Sequence, residues 1–244
     1  MKKTTPLYLH YRTKLSNSPL FEGLNNDTLD QMMQHFRYET WRKKTQSSVQ
    51  QIEKRFYIII AGRIEIIKVN PDTGKAIALA ILGEGDAFDV ITLLDDKEHD
   101  PIAVALDDIQ LLSAPIDMVR SWLDENRDFN HNFMPYLAQR MRLRESLISD
   151  LALYDTPTRL ARLLLRYIDS NHHNRHHEHH SIPLFHDLTH ETLAQMIGSA
   201  RQVVNKHLQV LKQEGILKTD EHNWSIEKLE ALKVKAHITL TDIS

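Results

Sequence analysis

Apolar residues fall in two rhythms along this chain, and the change between them divides it. From Leu20 to about Leu112 the apolar runs are short, rich in β-branched residues and punctuated by turn formers. "FYIIIAGRIEIIKV" is broken by Gly62, "NPDTGK" reads as a turn, and "AIALAIL" follows as a second run. Two such runs about a Pro/Gly turn predict a hairpin. "GEGDAF" punctuates again, and "IAVALDDIQLLSAPI" supplies further short strands. Evenly spaced short strands predict a sandwich or a jelly-roll barrel.

After Pro115 the period lengthens. Residues 128–153 contain no glycine and much Leu, Met and Arg, which predicts one long helix. Leu137, Met141, Ile148 and Leu151 share one face of it, with Leu143, Leu147 and Tyr154 alongside and Arg144 inside the stripe. Pro135 near the start marks a kink or the true first turn. The apolar surface exceeds what one barrel can cover, so a second copy is expected on it. "YDTPTRLARLLLRYI" then begins afresh. Thr156 or Asp155 caps, Pro157 takes the first helical position, and Leu160, Leu163, Leu164 and Ile168 repeat at helical spacing. A domain boundary is expected near Asp155, and "SIPLF" is expected to return as a short strand.

Residues 188–217, "LTHETLAQMIGSARQVVNKHLQVLKQEGIL", carry the most chemistry. Thr189 caps a short helix, with Leu188 and Leu193 as a hydrophobic staple. Gly198 ends that helix, and Ser199 opens a second one with Gln202 completing a capping box. Val203, Val204, Leu208 and Leu211 face inward, and Gly215 terminates. Such a pair of helices is either a hairpin that merely packs or a helix-turn-helix that enters the major groove. Arg201, Gln202, Asn205 and Lys206, at the start of the second helix, are side chains that read base edges or hold phosphates. "ILKTDEHNWSI" reads as the small hairpin, or wing, that often follows. The position after a β domain and a long helix favours the DNA reading.

Composition sharpens this. The formal charge of −3 gives no chain-wide affinity for nucleic acid, so the local patch of Arg201, Lys206, Lys212 and Lys218 against Glu214 has to supply it. The absence of cysteine excludes disulfides, thiolate zinc sites, cysteine nucleophiles and iron–sulfur clusters. No apolar run approaches the roughly 20 residues that span a bilayer. "MKKTTPLYLHYR" has no apolar segment after its lysines, so no signal peptide is expected and a cytoplasmic location is. No G-x-S-x-G, P-loop or H-E-x-x-H is present, so no catalytic residues and no enzyme are expected. "SNHHNRHHEHHSIP" packs His172, His173, His176, His177, His179 and His180 into nine positions, yet its Ser, Asn and Pro read as a surface loop. No dedicated metal site is expected there, and the acids of "DDKEHD" read as a solvated turn.

The stretches "FYIIIAGRIEI", "GEGDAF", "DTPTRLARLLL" and the helix-turn-helix segment together resemble the Crp/Fnr family of bacterial transcription regulators over nearly the full length. The resemblance implies an α+β chain. Its parts are a double-stranded β-helix (jelly-roll) sensor domain over residues 1–127, a dimerisation helix over 128–154 and a winged helix-turn-helix over 155–244. It implies a homodimer joined along the long helix through Leu137, Met141, Ile148 and Leu151. That dimer binds a palindromic promoter site in double-stranded DNA, works with RNA polymerase and answers to a small effector sensed by the roll. By the same resemblance Arg201, Gln202 and Asn205 read bases, while Thr189, Ser199 and Lys206 hold phosphates. Many members carry Glu where Gln202 stands, so a different half-site is expected.

The effector pocket of the family maps onto Gly83, Gly85, Asp89, Val90, Asp100, Pro101, Arg144 and Glu145. Members that bind cyclic AMP have a Gly-Glu pair for the ribose where Asp89 and Val90 stand. They have an Arg-Ser pair for the phosphate where Asp100 and Pro101 stand. A carboxylate in place of the phosphate's cation repels the ligand, so cyclic AMP is not expected. Haem-bearing members leave another possibility open, with His10, His35, His99 and His131 as candidate ligands. Two alternatives therefore stand beside the main reading. One is a metal- or haem-responsive regulator using histidines, and the other an effector-binding protein without DNA binding.

Overall fold

The computed structural model describes residues 5–47, 55–88, 90–95, 97, 101–169, 180–182, 185–220 and 224–237. Helices α1 (Pro6–Ser16) and α2 (Asn26–Met33) come first. Strands β1 (Arg37–Trp41), β2 (Gln46–Ser47), β3 (Arg55–Ala61), β4 (Ile64–Val69), β5 (Ala76–Leu82) and β6 (Ala87–Phe88) follow. A short helix α3 (Val90–Asp95) precedes β7 (Ile102–Ala105) and β8 (Ile109–Pro115). The expectation of strands from Leu20 onward fails at its start. Asn25 Oδ1 accepts the Thr28 N–H at 2.8 Å and caps α2, and Leu29, Met32 and Met33 then share one buried helix face.

The run "FYIIIAGRIEIIKV" is divided between two sheets. One has the order β1-β8-β3-β6 and the other β2-β7-β4-β5, so the predicted hairpin is β4 with β5. Gly62 makes the switch at φ +86°, where a Cβ would stand 2.5 Å from Ile109 Cγ2. Both faces of β3 are buried, which is why its run is unbroken rather than alternating. Tyr57 and Ile59 face the roll interior with Ile64, Leu82, Phe88, Ala103, Ile109 and Leu111. Phe56, Ile58 and Ile60 face the other way, against Tyr11, Leu15, Phe21, Phe129 and Phe133.

Helix α4 (Ile116–Glu125) leads into the long helix α5 (Arg127–Leu153). Asn126 Oδ1 accepts the Phe129 N–H at 2.8 Å, which fixes the first turn of α5 at Arg127. Pro135 therefore lies in the helix interior rather than at its start, where it gives no N–H to the carbonyl of His131. The chain divides into two compact units, residues 1–69 with 80–143 and residues 70–79 with 144–244.

In the second unit, α6 (Thr156–Asp169) is capped by Asp155, one of the two candidates, whose Oδ1 accepts the Thr158 N–H at 3.1 Å. Leu160, Leu163, Leu164 and Ile168 are all buried. Strand β9 (His180–Ser181), helices α7 (His190–Met196) and α8 (Arg201–Gln213), strands β10 (Leu217–Thr219) and β11 (Trp224–Ile226), and helix α9 (Leu229–Lys235) complete the unit. The three strands form a sheet in the order β10-β11-β9; the expected wing is present, and the return strand takes in His180 and Ser181, so only the first residue of "SIPLF" belongs to it. Phe185 packs its ring between Tyr167 and Trp224, which ties α6 to the wing. Of the histidine-rich loop expected at residues 172–180, residues 172–179 lie outside the described residues, and His180 stands in strand β9 rather than in a loop.

Gly62→Ala is expected to destabilise the roll by about 2–4 kcal/mol, through left-handed backbone strain and forced overlap with Ile109. A denaturant midpoint equal to that of the unsubstituted chain would refute this. Asp155→Ala is expected to cost about 1 kcal/mol at neutral pH, the worth of a helix cap. The hydrogen bonds from Thr158 hold the Asp155 carboxyl below the usual carboxylate range. A depressed folded-state pKa makes that stabilisation present above the ordinary carboxylate value and lost as pH falls through the folded one. Unfolding curves of the two proteins should converge in acid, and a gap independent of pH would contradict the cap's charge.

Candidate nucleic-acid interface

Two short helices and the turn between them are held by backbone hydrogen bonds that leave one set of side chains outside. Thr189 Oγ1 accepts the Thr192 N–H at 3.1 Å and caps α7, and Leu188 and Leu193 are both buried as the staple requires. At the other end Gly198 takes φ +59°. The Ser199 N–H reaches the Ala194 carbonyl at 2.9 Å and the Gly198 N–H reaches that of Gln195 at 3.4 Å. This is the paired closure of a Schellman motif. Its geometry corrects the expectation for Ser199, which finishes α7 instead of opening α8. Ala200 is the residue before Arg201, and no side chain caps α8, so the capping box with Gln202 is absent.

Helix α8 ends the same way. Gly215 stands at φ +66°, the Ile216 N–H bonds the Leu211 carbonyl at 2.9 Å, and the Gly215 N–H bonds that of Lys212 at 3.0 Å. Val204, Leu208 and Leu211 are buried. Val203 is not: it is 38% exposed, because one helical step of about 100° carries it away from Val204. The outward face holds Arg201, Gln202 and Lys206, all exposed, with Asn205 and Ser199 half-buried and Thr189 exposed on α7. The six expected DNA-contacting residues thus lie on the two helices and their turn.

Charge at this face is positive. His190, first residue of α7, is pushed below its ordinary pKa by burial first, then by the cations of Lys212 and Arg201. A Cβ on Gly198 would stand 2.7 Å from Leu151 Cδ2, so any side chain there would displace the end of Leu151. Sequence patterning identified the turn but not this neighbour, because a contact across 47 residues leaves no periodic signal.

The residues expected to form an effector pocket are divided between the two units. The first unit holds Gly83, Gly85, Val90 and Pro101, whereas Arg144 and Glu145 are exposed and belong to the second. Asp89 and Asp100 lie outside the described residues. What fixes the "GEGDAF" turn is a set of groups that the sequence did not single out. Asp86 Oδ2 accepts the Gly83 N–H at 2.9 Å, and the Gly85 N–H bonds the Ile59 carbonyl at 2.8 Å. Arg140 on α5 pairs with Asp86, whose carboxyl burial pushes upward and Arg140 pulls back down. The Ala87 N–H donates to the Tyr136 hydroxyl at 2.8 Å. Inside the roll, Tyr57 and Phe88 stack at 4.9 Å with Trp41 edge-on to both.

His10, His35 and His131 are exposed, and among the described residues no group of three or more His, Asp or Glu is placed to hold a metal. His99 lies outside the described residues. No helix among the described residues is long and apolar enough to cross a membrane.

Comparison with known proteins agrees with this arrangement. Residues 158–234 match the Crp-like helix-turn-helix domain and residues 48–126 the cyclic nucleotide-binding domain. The chain is 29% identical over 182 residues to a CRP-like cAMP-activated global transcriptional regulator of Mycobacterium tuberculosis, covering 75% of this chain and 80% of that one. It is 29% identical over 183 residues to the global nitrogen regulator of Nostoc sp., covering 72% and 78%. Its fold superimposes on a CooA mutant from Carboxydothermus hydrogenoformans with a TM-score of 0.73 at 23% identity, over 91% of this chain and 97% of the other. The relatives from Mycobacterium tuberculosis and Nostoc are transcription regulators, which are not enzymes. A cyclic-nucleotide-binding type of roll, a long helix and a Crp-like helix-turn-helix in one chain make this protein a member of the Crp/Fnr family of transcription regulators.

Proposed function

We propose that the protein is a non-enzymatic, cytoplasmic DNA-binding regulator that works as a homodimer on a palindromic promoter site. It acts with RNA polymerase and under an effector taken up by the roll. The observation that carries the reading is the exposed set of Arg201, Gln202 and Lys206 on the first two turns of a helix whose opposite face is buried. Arg201, Gln202 and Asn205 read base edges, Arg pairing with guanine and the amides with adenine. Thr189, Ser199 and Lys206 hold the backbone. The effector is one other than cyclic AMP, since the sequence puts Asp100 where that ligand's phosphate needs a cation.

The second copy docks on α5. Met134, Met141 and Ile148 recur every seven residues and are 50%, 55% and 67% exposed, the spacing of a coiled-coil seam. Of the four residues expected at this interface, Met141 and Ile148 are exposed. Leu137 packs on the first unit's core, and Leu151 meets the turn at Gly198.

Arg201→Ala and Gln202→Ala should each weaken the specific palindrome by about 1–3 kcal/mol and random duplex far less. Lys206→Ala should weaken both alike and reduce the salt slope by about one phosphate contact. Adding cyclic AMP should leave the affinities where they are. Titrations of each variant against both duplexes at several salt concentrations decide this. Equal losses on both duplexes for Arg201→Ala would reduce α8 to an electrostatic anchor.

Met141→Glu with Ile148→Glu should give monomers at micromolar concentration, since each side chain contributes about 1.5–3 kcal/mol when buried. Native mass spectrometry reads this directly. A dimer that survives both changes places the seam elsewhere.

A further inference from the structure

Asp150, one turn from the end of α5, is only 4% exposed, and two arginines from α6 converge on it. Arg162 Nε donates to one carboxylate oxygen at 2.6 Å and Arg166 Nη2 to the other. The two arginines are one helical turn apart, so both reach the same carboxylate from one face of α6. Arg162 also lies over the Tyr154 ring, its Cζ 4.5 Å from the centroid, and its Nη1 donates at 3.2 Å to the carbonyl of Ala236, the C-cap of α9. Next to Asp150, Leu151 fills the space against Gly198, with Arg159 Nη1 3.9 Å from the position a Cβ would take there.

The end of α5 is thus held at two adjacent residues that point in different directions. One hold is ionic, onto α6, and the other is apolar, onto the turn before the recognition helix α8. A single contact fixes a distance; two in different directions fix a rotation as well. Apolar side chains at these three positions would pack the same corner without directional preference, and buried ion pairs in general add little net stability. What a carboxylate that accepts from two guanidinium groups adds is orientation, because their hydrogen bonds have set directions.

We propose that Asp150 is a positioning residue for DNA recognition. Through Arg162 and Arg166 it sets the angle of the recognition helix against the long helix, and so the separation of half-sites that the protein accepts. The inference rests on the reading above, a dimer along α5 bound to two half-sites. A shift of the helix by about 3.4 Å, the rise of one base pair, is enough to move a half-site by one step.

The experiment starts from duplexes that the unsubstituted full-length protein enriches from a random library. In the enriched palindrome, the gap between half-sites is then lengthened or shortened by one and two base pairs. The unsubstituted protein should lose affinity by about tenfold or more for each added or removed base pair, as a rigid dimer does on misplaced half-sites. Asp150→Asn should flatten that profile to within about threefold, with dimer mass and random-duplex affinity unchanged. Arg166→Gln, which leaves Arg162 to neutralise the carboxylate, should flatten it in part and decides the matter if Asp150→Asn does not fold. A profile as steep as that of the unsubstituted protein, with affinity lowered equally at every spacing, would overturn the proposal and leave Asp150 as a stabilising contact. If the unsubstituted protein enriches only single half-sites, the dimer reading beneath it falls, and this inference with it.

Discussion

At Gly198 the backbone is left-handed, and the side chain of Leu151 stands where a Cβ would go. The closure of the turn between α7 and α8 depends on that left-handed backbone. The left-handed residue lets the Ser199 and Gly198 N–H groups close the end of α7. That closure sets Ala200 in extended backbone and starts α8 at Arg201. Where α8 starts decides which residues face out. Arg201 and Gln202 are presented and Val204 is buried as a result, with no side-chain cap to fix the register independently.

The first unit is organised by a different constraint, the burial of β3 on both faces. A strand between the roll interior and a layer of helices must be apolar throughout, so the sequence there loses its alternation. Polar groups enter in two ways: Glu65 Oε1 and Ser47 Oγ are buried without a hydrogen-bond partner, and others are matched. Half-buried Asp86 pairs with Arg140, and the Tyr136 hydroxyl lies against the backbone of Ala87, so a helical segment is tied to a turn by named hydrogen bonds.

Legibility in the sequence followed the range of the interactions. Elements fixed by local chemistry were readable. Thr189 and Gly198 announce the ends of α7, "NPDTGK" announces a turn, and the leucines of α6 announce its buried face. Two local readings failed because a stronger neighbour took the residue. The backbone of Ser199 was already committed to α7, and Val203 lost its place in the core to Val204, which lies on the axis of the buried stripe. The strands expected just after Leu20 proved helical because Asn25 caps α2 there. Long-range pairs left no trace in the sequence. Neither the spacing of Arg140 from Asp86 nor that of Asp150 from Arg162 and Arg166 marks them as partners. The effector residues rest on family resemblance rather than on local chemistry, and that resemblance passes through positions where this chain departs from the pattern.

The grip of Asp150 and Leu151 on α6 and the turn at Gly198 also bears on how the molecule comes apart. Cooperative unfolding units follow packing rather than helix boundaries. The last turn of α5 shares its buried carboxylate and its apolar contact with the helix-turn-helix unit, so its amide protons are shielded by the same opening events as those of α6 and α7. One continuous helix therefore belongs to more than one foldon, and the seam between them runs through the helix and not through the loop at Tyr154 and Asp155.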